Sequence, residues 1–115
     1  MNTPAPLSIE LQLPPGFEPF EARRAFVALI DNRLADAPAK VVSSLQSASV
    51  RCQPGGTLNF ELLWTPEALA TGDCGLQAHV SRSGDAAWAT GDLATTQSIP
   101  VAAAARQVRA RLTVL

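Results

Sequence analysis

The sequence predicts an all-β fold, an antiparallel β-sandwich of about seven short strands with one short helical turn. Three observations lead to this prediction. Extended apolar segments recur about every eight to twelve residues, turns rich in Gly and Pro separate them, and no segment has the period of a long helix. At 115 residues the chain suits one domain. We expect a flexible N-terminal tail over residues 1–6 and a single sandwich domain over residues 7–115.

The first half of the chain is expected to supply three strands. Residues 7–13 alternate strictly between apolar and polar, which is the pattern of a half-buried strand. Its inward side chains are Leu7, Ile9, Leu11 and Leu13. The second strand, residues 24–32, is apolar on both faces. The third, residues 41–52, is rich in Ser and alternates weakly, which favours a position at the edge of a sheet.

The second half is expected to supply the remaining strands and the helical turn. In the strand over residues 57–64, Phe60, Leu62 and Trp64 share the inward face, and Leu63 lies on the other. Thr65 followed by Pro66 is typical of a helix N-cap and first helical position, so a short helix is expected over residues 65–69. Further strands are predicted over residues 74–82, 86–91 and 107–115.

Composition and charge argue against two classes of function. The formal net charge is −1, whereas a nucleic-acid-binding module normally carries a basic patch. Tyr is absent and aromatic residues are few, so the chain has little on which bases could stack. No apolar run approaches the ~20 residues that a membrane-spanning helix needs. We therefore expect neither a nucleic-acid partner nor a membrane span.

Residues suited to catalysis are few. The single histidine, His79, is expected on the outward, polar face of its strand as a surface residue. As a general base it would need an orienting partner, and the sequence does not assign one. Asp31 and Asp36 flank a turn, where Asp normally accepts hydrogen bonds from backbone N–H groups. Motifs for a nucleophile elbow, a phosphate-binding loop or a metal-binding helix do not occur. We expect a non-enzymatic protein with no catalytic residue, cofactor, metal or small-molecule substrate.

The two cysteines, Cys52 and Cys74, leave two interpretations open. A disulfide between them would close a loop of 21 residues and stabilise the fold by roughly 3 kcal/mol in the chain-entropy model. Alternatively, both are separate buried thiols, because an unpaired cysteine behaves as a small hydrophobic residue. The spacing does not match a zinc site.

The doubly apolar second strand is the feature most relevant to binding. It either lies in mid-sheet with its second face covered, or it exposes an apolar strip centred on Phe26 and Ile30 that receives a helix or strand of a partner. Leu63 would extend this strip. Arg109 and Arg111, on the outward face of the last strand, would supply a basic rim, or they form an ordinary solvated face.

Several segments resemble a known family in their order and spacing. They are Leu-Gln-Leu-Pro-Pro-Gly at 11–16, an apolar strand ending in Asp31, Leu-Ala-Asp-Ala-Pro-Ala at 34–39, Phe-Glu-Leu at 60–62 followed by Trp64, and Leu-Gln-Ala-His-Val at 76–80. Together they resemble the YbaY/YscW family of small envelope lipoproteins over nearly the whole chain. The resemblance implies a β-sandwich lipoprotein anchored in a bacterial outer membrane.

One branch of that family comprises the pilotins of type III secretion systems, of the YscW and ExsB types. Pilotins bind the C-terminal segment of a secretin subunit, escort it to the outer membrane and promote assembly of its ring. The chain departs from the general pattern at Phe26, where the family has a polar residue, and at Leu63, where it has Pro. An additional partner-facing surface at these positions would favour the pilotin branch.

The resemblance therefore implies a periplasmic pilotin on the outer membrane, with a secretin C-terminal segment as its partner. The lipid anchor would lie on an N-terminal cysteine absent from this sequence, and residues 1–6 would be a remnant of the linker. Two alternatives remain. One is a generic YbaY-like envelope lipoprotein without a dedicated secretin, and the other is a periplasmic inhibitor or ligand-binding β domain.

Overall fold

The computed structural model describes residues 5–31 and 40–115, which form a β-sandwich with one short helix. The elements in chain order are β1 (Leu7–Gln12), β2 (Phe20–Ala22), β3 (Arg24–Asp31), β4 (Lys40–Ser47), β5 (Val50–Cys52), β6 (Thr57–Leu62), α1 (Pro66–Thr71), β7 (Cys74–Ser81), β8 (Leu93–Ala94), β9 (Ile99–Val101), β10 (Gln107–Arg111) and β11 (Thr113–Val114). The predicted all-β class is confirmed. Residues 1–4 of the expected tail and the turn and family segment at 32–39 lie outside the described residues.

Two sheets enclose the hydrophobic core. The smaller sheet has the order β10-β1-β6, and the larger has the order β11-β8-β7-β3-β4, with β9 also paired to β7. The predicted alternation of β1 is confirmed, because Leu7, Ile9 and Leu11 are almost fully buried between the sheets. Leu29 of β3 and Leu76 of β7 meet them from the larger sheet. Each sheet therefore has one core face and one outer face.

The strand predicted over residues 107–115 divides between the two sheets. β10 pairs in parallel with β1, whereas β11 pairs antiparallel with β8. Between them, the Leu112 N–H donates to the carbonyl of Gln12 at 2.9 Å, and the Leu112 side chain is buried in the core. The end of the chain therefore joins both sheets at one margin of the sandwich.

The strand predicted over residues 41–52 bends at Ala48 and Ser49, where Ser49 has a φ of +57°. Beyond this bend, β5 pairs with β2 in the same register in which β4 pairs with β3. The pair β2/β5 is thus a continuation of the β3/β4 hairpin that leaves the larger sheet. The predicted edge position is correct for β4, which is the last strand of its sheet.

Helix α1 begins as the sequence predicts. The hydroxyl of Thr65 accepts a hydrogen bond from the Ala68 N–H at 3.0 Å, and Pro66 occupies the first turn. The same hydroxyl donates to the carbonyl of Val42 at 2.8 Å. Because the cap residue also bonds to β4, the start of the helix and the start of that strand are held together.

Cys52 and Cys74 are thiols in β5 and β7, so the second of the two interpretations holds and the disulfide is not formed. Both side chains are buried. Burial raises the pKa of the Cys52 thiol to about 11, although the nearby Arg82 opposes the shift. Cys52 therefore acts as a small core residue.

Candidate partner-binding face

The predicted apolar strip is only partly exposed. Phe26 and Ile30 lie on the outer face of the larger sheet, because the alternate residues of β3 belong to the core. Phe26 is half-buried, but Ile30 is only 4% exposed. Ile30 is opposite Gly75 of β7, and the side chains of Ile30 and Ser98 close over this glycine. Ile30 is therefore not part of an exposed strip, and of the two alternatives the structure shows a mid-sheet strand whose second face is largely covered.

Leu63 is the most exposed of the three predicted apolar partner-binding residues. It follows β6, and its side chain is 69% exposed, on the opposite side from the buried Leu62 and Trp64. Its carbonyl accepts a hydrogen bond from the Ser43 hydroxyl at 2.9 Å, which brings Leu63 beside β4. Val41 of β4 is also 48% exposed. The outward orientation of Leu63 is as predicted, whereas Val41 was not singled out from the sequence.

Arg109 and Arg111 do not form a rim beside Phe26. Both are exposed residues of β10, on the outer face of the smaller sheet, since the intervening Ala110 is buried in the core. Arg109 forms a salt bridge with Glu10 of β1, with 3.2 Å between Nε and a carboxylate oxygen. Phe26 lies on the outer face of the opposite sheet. The predicted basic rim is therefore on the wrong side of the sandwich to border the strip.

β4 presents an edge with two different halves. Its first half is protected by a register irregularity next to Ile30, by the bonds from Ser43 and Thr65, and by the exposed Lys40. Its second half, residues 44–47, is Ser-Leu-Gln-Ser, without charge or proline. No strand in residues 5–31 and 40–115 pairs with its outer side. We call residues 44–47 the open edge, because such a row of backbone groups can pair with an added strand.

Lys40 also contacts α1 from this strand. Its ammonium group lies 2.5 Å from a carboxylate oxygen of Glu67 in the first turn of the helix. The hydrogen bond to Glu67 and the charge of that carboxylate raise the pKa of Lys40. Both side chains are well exposed, so this pair contributes little to stability. Because of this pair, the start of β4 next to Val41 carries two charges that neutralise each other rather than a single free charge.

His79 is buried, and the expectation of a surface histidine was wrong. Its Nε2 lies 2.8 Å from the carboxylate of Asp92, which is 1% exposed. The backbone N–H groups of Arg82 and Ala89 also donate to this carboxylate, at 3.0 and 3.1 Å. Trp88 lies beside the imidazole, with 6.2 Å between ring centroids and 46° between the ring planes. The strand predicted over residues 86–91 is instead a loop that Asp92 holds in place.

The pKa of Asp92 reflects two opposed effects. Burial by itself would raise the pKa, since it disfavours the charged carboxylate. The hydrogen bonds from Arg82, His79 and Ala89 and the charge of His79 outweigh burial and lower the pKa below its ordinary value. Sequence reasoning missed the pair because strand alternation says nothing about contacts between residues 13 positions apart, and because Asp92 follows a turn, where an Asp is unremarkable.

Comparisons with protein-family models, with curated proteins and with solved structures found no match to this chain. Within the described ranges, no helix is long and apolar enough to cross a membrane. In the same part of the chain, His, Cys, Asp and Glu side chains form no group of three or more that could hold a metal ion. The open edge and its exposed apolar neighbours, Val41 and Leu63, form the candidate site.

Proposed function

We propose that this protein is a pilotin of a type III secretion system, a non-enzymatic escort that acts in the periplasm. It binds the C-terminal segment of a secretin subunit, and a lipid on its own N-terminal region carries the pair to the outer membrane for ring assembly. Support comes from the resemblance of residues 11–16, 34–39, 60–64 and 76–80 to the YbaY/YscW family. A β-sandwich is also the fold that this resemblance implies.

The observation that carries the proposal is the open edge of β4 with exposed apolar side chains beside it. Leu63 and Val41 border one end of β4, and the half-buried Phe26 lies opposite Gln46 at the other. Phe26 and Leu63 are the two positions at which the chain departs from the general family pattern. Both departures flank the same strand, although they are distant along the chain. This agreement supports β4 as the place where the secretin segment binds.

The surface suits an extended segment with alternating apolar residues. The segment would pair its backbone with the open edge, each hydrogen bond contributing about 0.5–1.5 kcal/mol. At their exposures of 69% and 48%, covering Leu63 and Val41 would add roughly 2–3 kcal/mol together. Ordering of the segment and loss of its free motion oppose these gains. The balance favours a moderate affinity, which suits an escort that must release its cargo.

A Leu63→Asp variant tests the proposal. Its binding to C-terminal peptides of secretins from the same genome, measured by calorimetry, is expected to weaken about tenfold or more, because an apolar contact becomes a charge. Val114→Asp is the matched control, since Val114 is 42% exposed at the far end of the larger sheet. Equal weakening by both variants, or none by Leu63→Asp, would contradict the β4 surface. Failure of the unmodified protein to bind any such peptide would contradict the proposed function.

A further inference from the structure

A cleft of about 310 Å³ opens on the larger sheet where β3 begins and β4 ends. Its lining residues are Arg23, Arg24, Gln46, Ser47, Ala48 and Gly84. Gln46 and Ser47 belong to the open edge, so the cleft is continuous with the surface proposed above. The volume is at the lower limit of typical ligand sites and suits a single small group.

The polar side chains of this cleft can all donate hydrogen bonds, and none is a carboxylate. Arg23 and Arg24 are adjacent in sequence and both line the cleft, and neither forms a salt bridge with any of the described residues. The Nε atom of Arg24 is buried and has no hydrogen-bond partner. Gln46 and Ser47 add an amide and a hydroxyl. The cleft therefore combines two positive charges with an amide and a hydroxyl that can also donate.

Arg24 is held in place by its contact with Phe26. Its guanidinium carbon lies 5.6 Å from the centroid of the Phe26 ring, within the range of a cation–π interaction. A guanidinium that is already ordered loses less conformational entropy when it binds an anion. Gly84 has a φ of +93° and lies against Arg23, where an added Cβ would be 3.3 Å from the Cβ of Arg23. The glycine thus lets the turn after β7 close one side of the cleft.

A planar oxyanion is the chemical group that this arrangement fits. Arginine binds carboxylates through two parallel hydrogen bonds, which gives both strength and direction. The acidic residue nearest in sequence to the lining, Asp85, follows Gly84 in the turn and does not line the cleft. The charge of the cleft is complementary to a single negative group.

We infer that Arg23 and Arg24 bind the C-terminal carboxylate of the peptide that pairs with β4, an inference that rests on the proposed function. The cleft adjoins the end of β4 at Ser47, so a bound peptide would run parallel to this strand. From Val41 to Ser47 the strand spans about 20 Å. The peptide residue that contacts Val41 and Leu63 should therefore lie about six positions before the C-terminus.

The C-terminus of a peptide would contact more of this surface than an inorganic anion would. The cleft continues into unpaired backbone groups at residues 44–47 and into the half-buried ring of Phe26. A peptide terminus uses the guanidinium groups, the backbone and the ring together, whereas phosphate uses only the guanidinium groups. Capture of a terminal carboxylate beside an added strand is also an established mode of peptide recognition.

The test compares a peptide with a free C-terminus and the same peptide with a C-terminal amide, each titrated into the full chain. The free acid is expected to bind roughly 10- to 100-fold more tightly, as for a charge-assisted bidentate contact. In an Arg23→Gln/Arg24→Gln double variant, acid and amide should bind alike, with the affinity of the amide nearly unchanged. Arg111→Gln is the control, because this arginine is exposed on the other sheet; it should keep the full difference.

The outcomes separate this inference from the proposed function. Equal, measurable binding of acid and amide to the unaltered protein would overturn the carboxylate site but leave the pilotin proposal standing. If neither peptide binds, the pilotin proposal fails. NMR titration of the protein with acetate and with inorganic phosphate then tests separately whether the cleft binds a carboxylate. Shifts with acetate that need Arg23 and Arg24 would support a carboxylate site. A response to phosphate only, or to neither anion, would refute it.

Discussion

Asp92 is expected to be the polar residue on which the fold depends most. Asp92→Ala removes an acceptor of three hydrogen bonds, from His79 and from the N–H groups of Arg82 and Ala89. The buried donors left behind each cost about 1–3 kcal/mol, and water entering the gap would recover part of this. We therefore expect Asp92→Ala to lower the free energy of unfolding by about 3–5 kcal/mol. Urea denaturation at pH 7, followed by tryptophan fluorescence, measures the change.

The pH dependence of the same variant gives a second test. The pKa of Asp92 is lowered in the folded protein, so its contribution is fully present above the unfolded pKa of about 3.9. The contribution is lost as the pH falls through the lower folded pKa, because protonation removes the charged acceptor. The stability difference between the unaltered protein and Asp92→Ala should therefore narrow as the medium becomes more acidic than about pH 4.

Asp85→Asn is the matched control, because Asp85 is an exposed acid in the same loop. It should change the free energy of unfolding by less than about 0.5 kcal/mol. A loss below about 1 kcal/mol for Asp92→Ala would refute the argument that these hydrogen bonds hold the loop. The argument would also be refuted if the difference in the free energy of unfolding between Asp92→Ala and the unaltered protein stayed constant from pH 7 to acidic pH.

Two further predictions concern burial. Ile30→Asp should lower the free energy of unfolding by about 3–5 kcal/mol, because Ile30 is 4% exposed and moving a charged carboxylate out of water there carries a large desolvation cost. Circular dichroism during urea denaturation measures this change, and Leu63→Asp should remain folded. Cys52 should react slowly with thiol reagents at pH 8, and faster as the pH rises towards its pKa of about 11, since only the thiolate attacks. Two thiols and no two-dalton mass deficit are expected after denaturation, and rapid labelling of native Cys52 at pH 8 would contradict its burial.

Local patterns were enough to predict much of the fold. The alternation of residues 7–13 correctly gives the buried face of β1, because side chains of a strand point alternately to its two faces. Thr65 and Pro66 correctly mark the start of α1, since capping depends on residues within one turn. The Ser-rich composition of residues 40–47 also agrees with the edge position of β4.

Other features depend on which strands become neighbours. His79 alternates correctly to the outer face, yet it is buried because Asp92 and Trp88 close over it from the following loop. Ile30 is covered through Gly75 and Ser98, which lie far away in sequence. Nothing in the local sequence of either residue specifies these contacts.

The sequence by itself determined the fold class, the core face of most strands and the start of the helix, because each depends on the period and chemistry of adjacent residues. Only the tertiary structure decided which residues of distant segments lie next to one another on the outer faces of the sheets. It set Arg109 on the sheet opposite Phe26 and placed Arg24 against that ring. It also brought Leu63 beside β4 through the bond from Ser43. Pairing between distant strands determines these contacts, and such pairing follows from the packing of the whole chain rather than from any one segment.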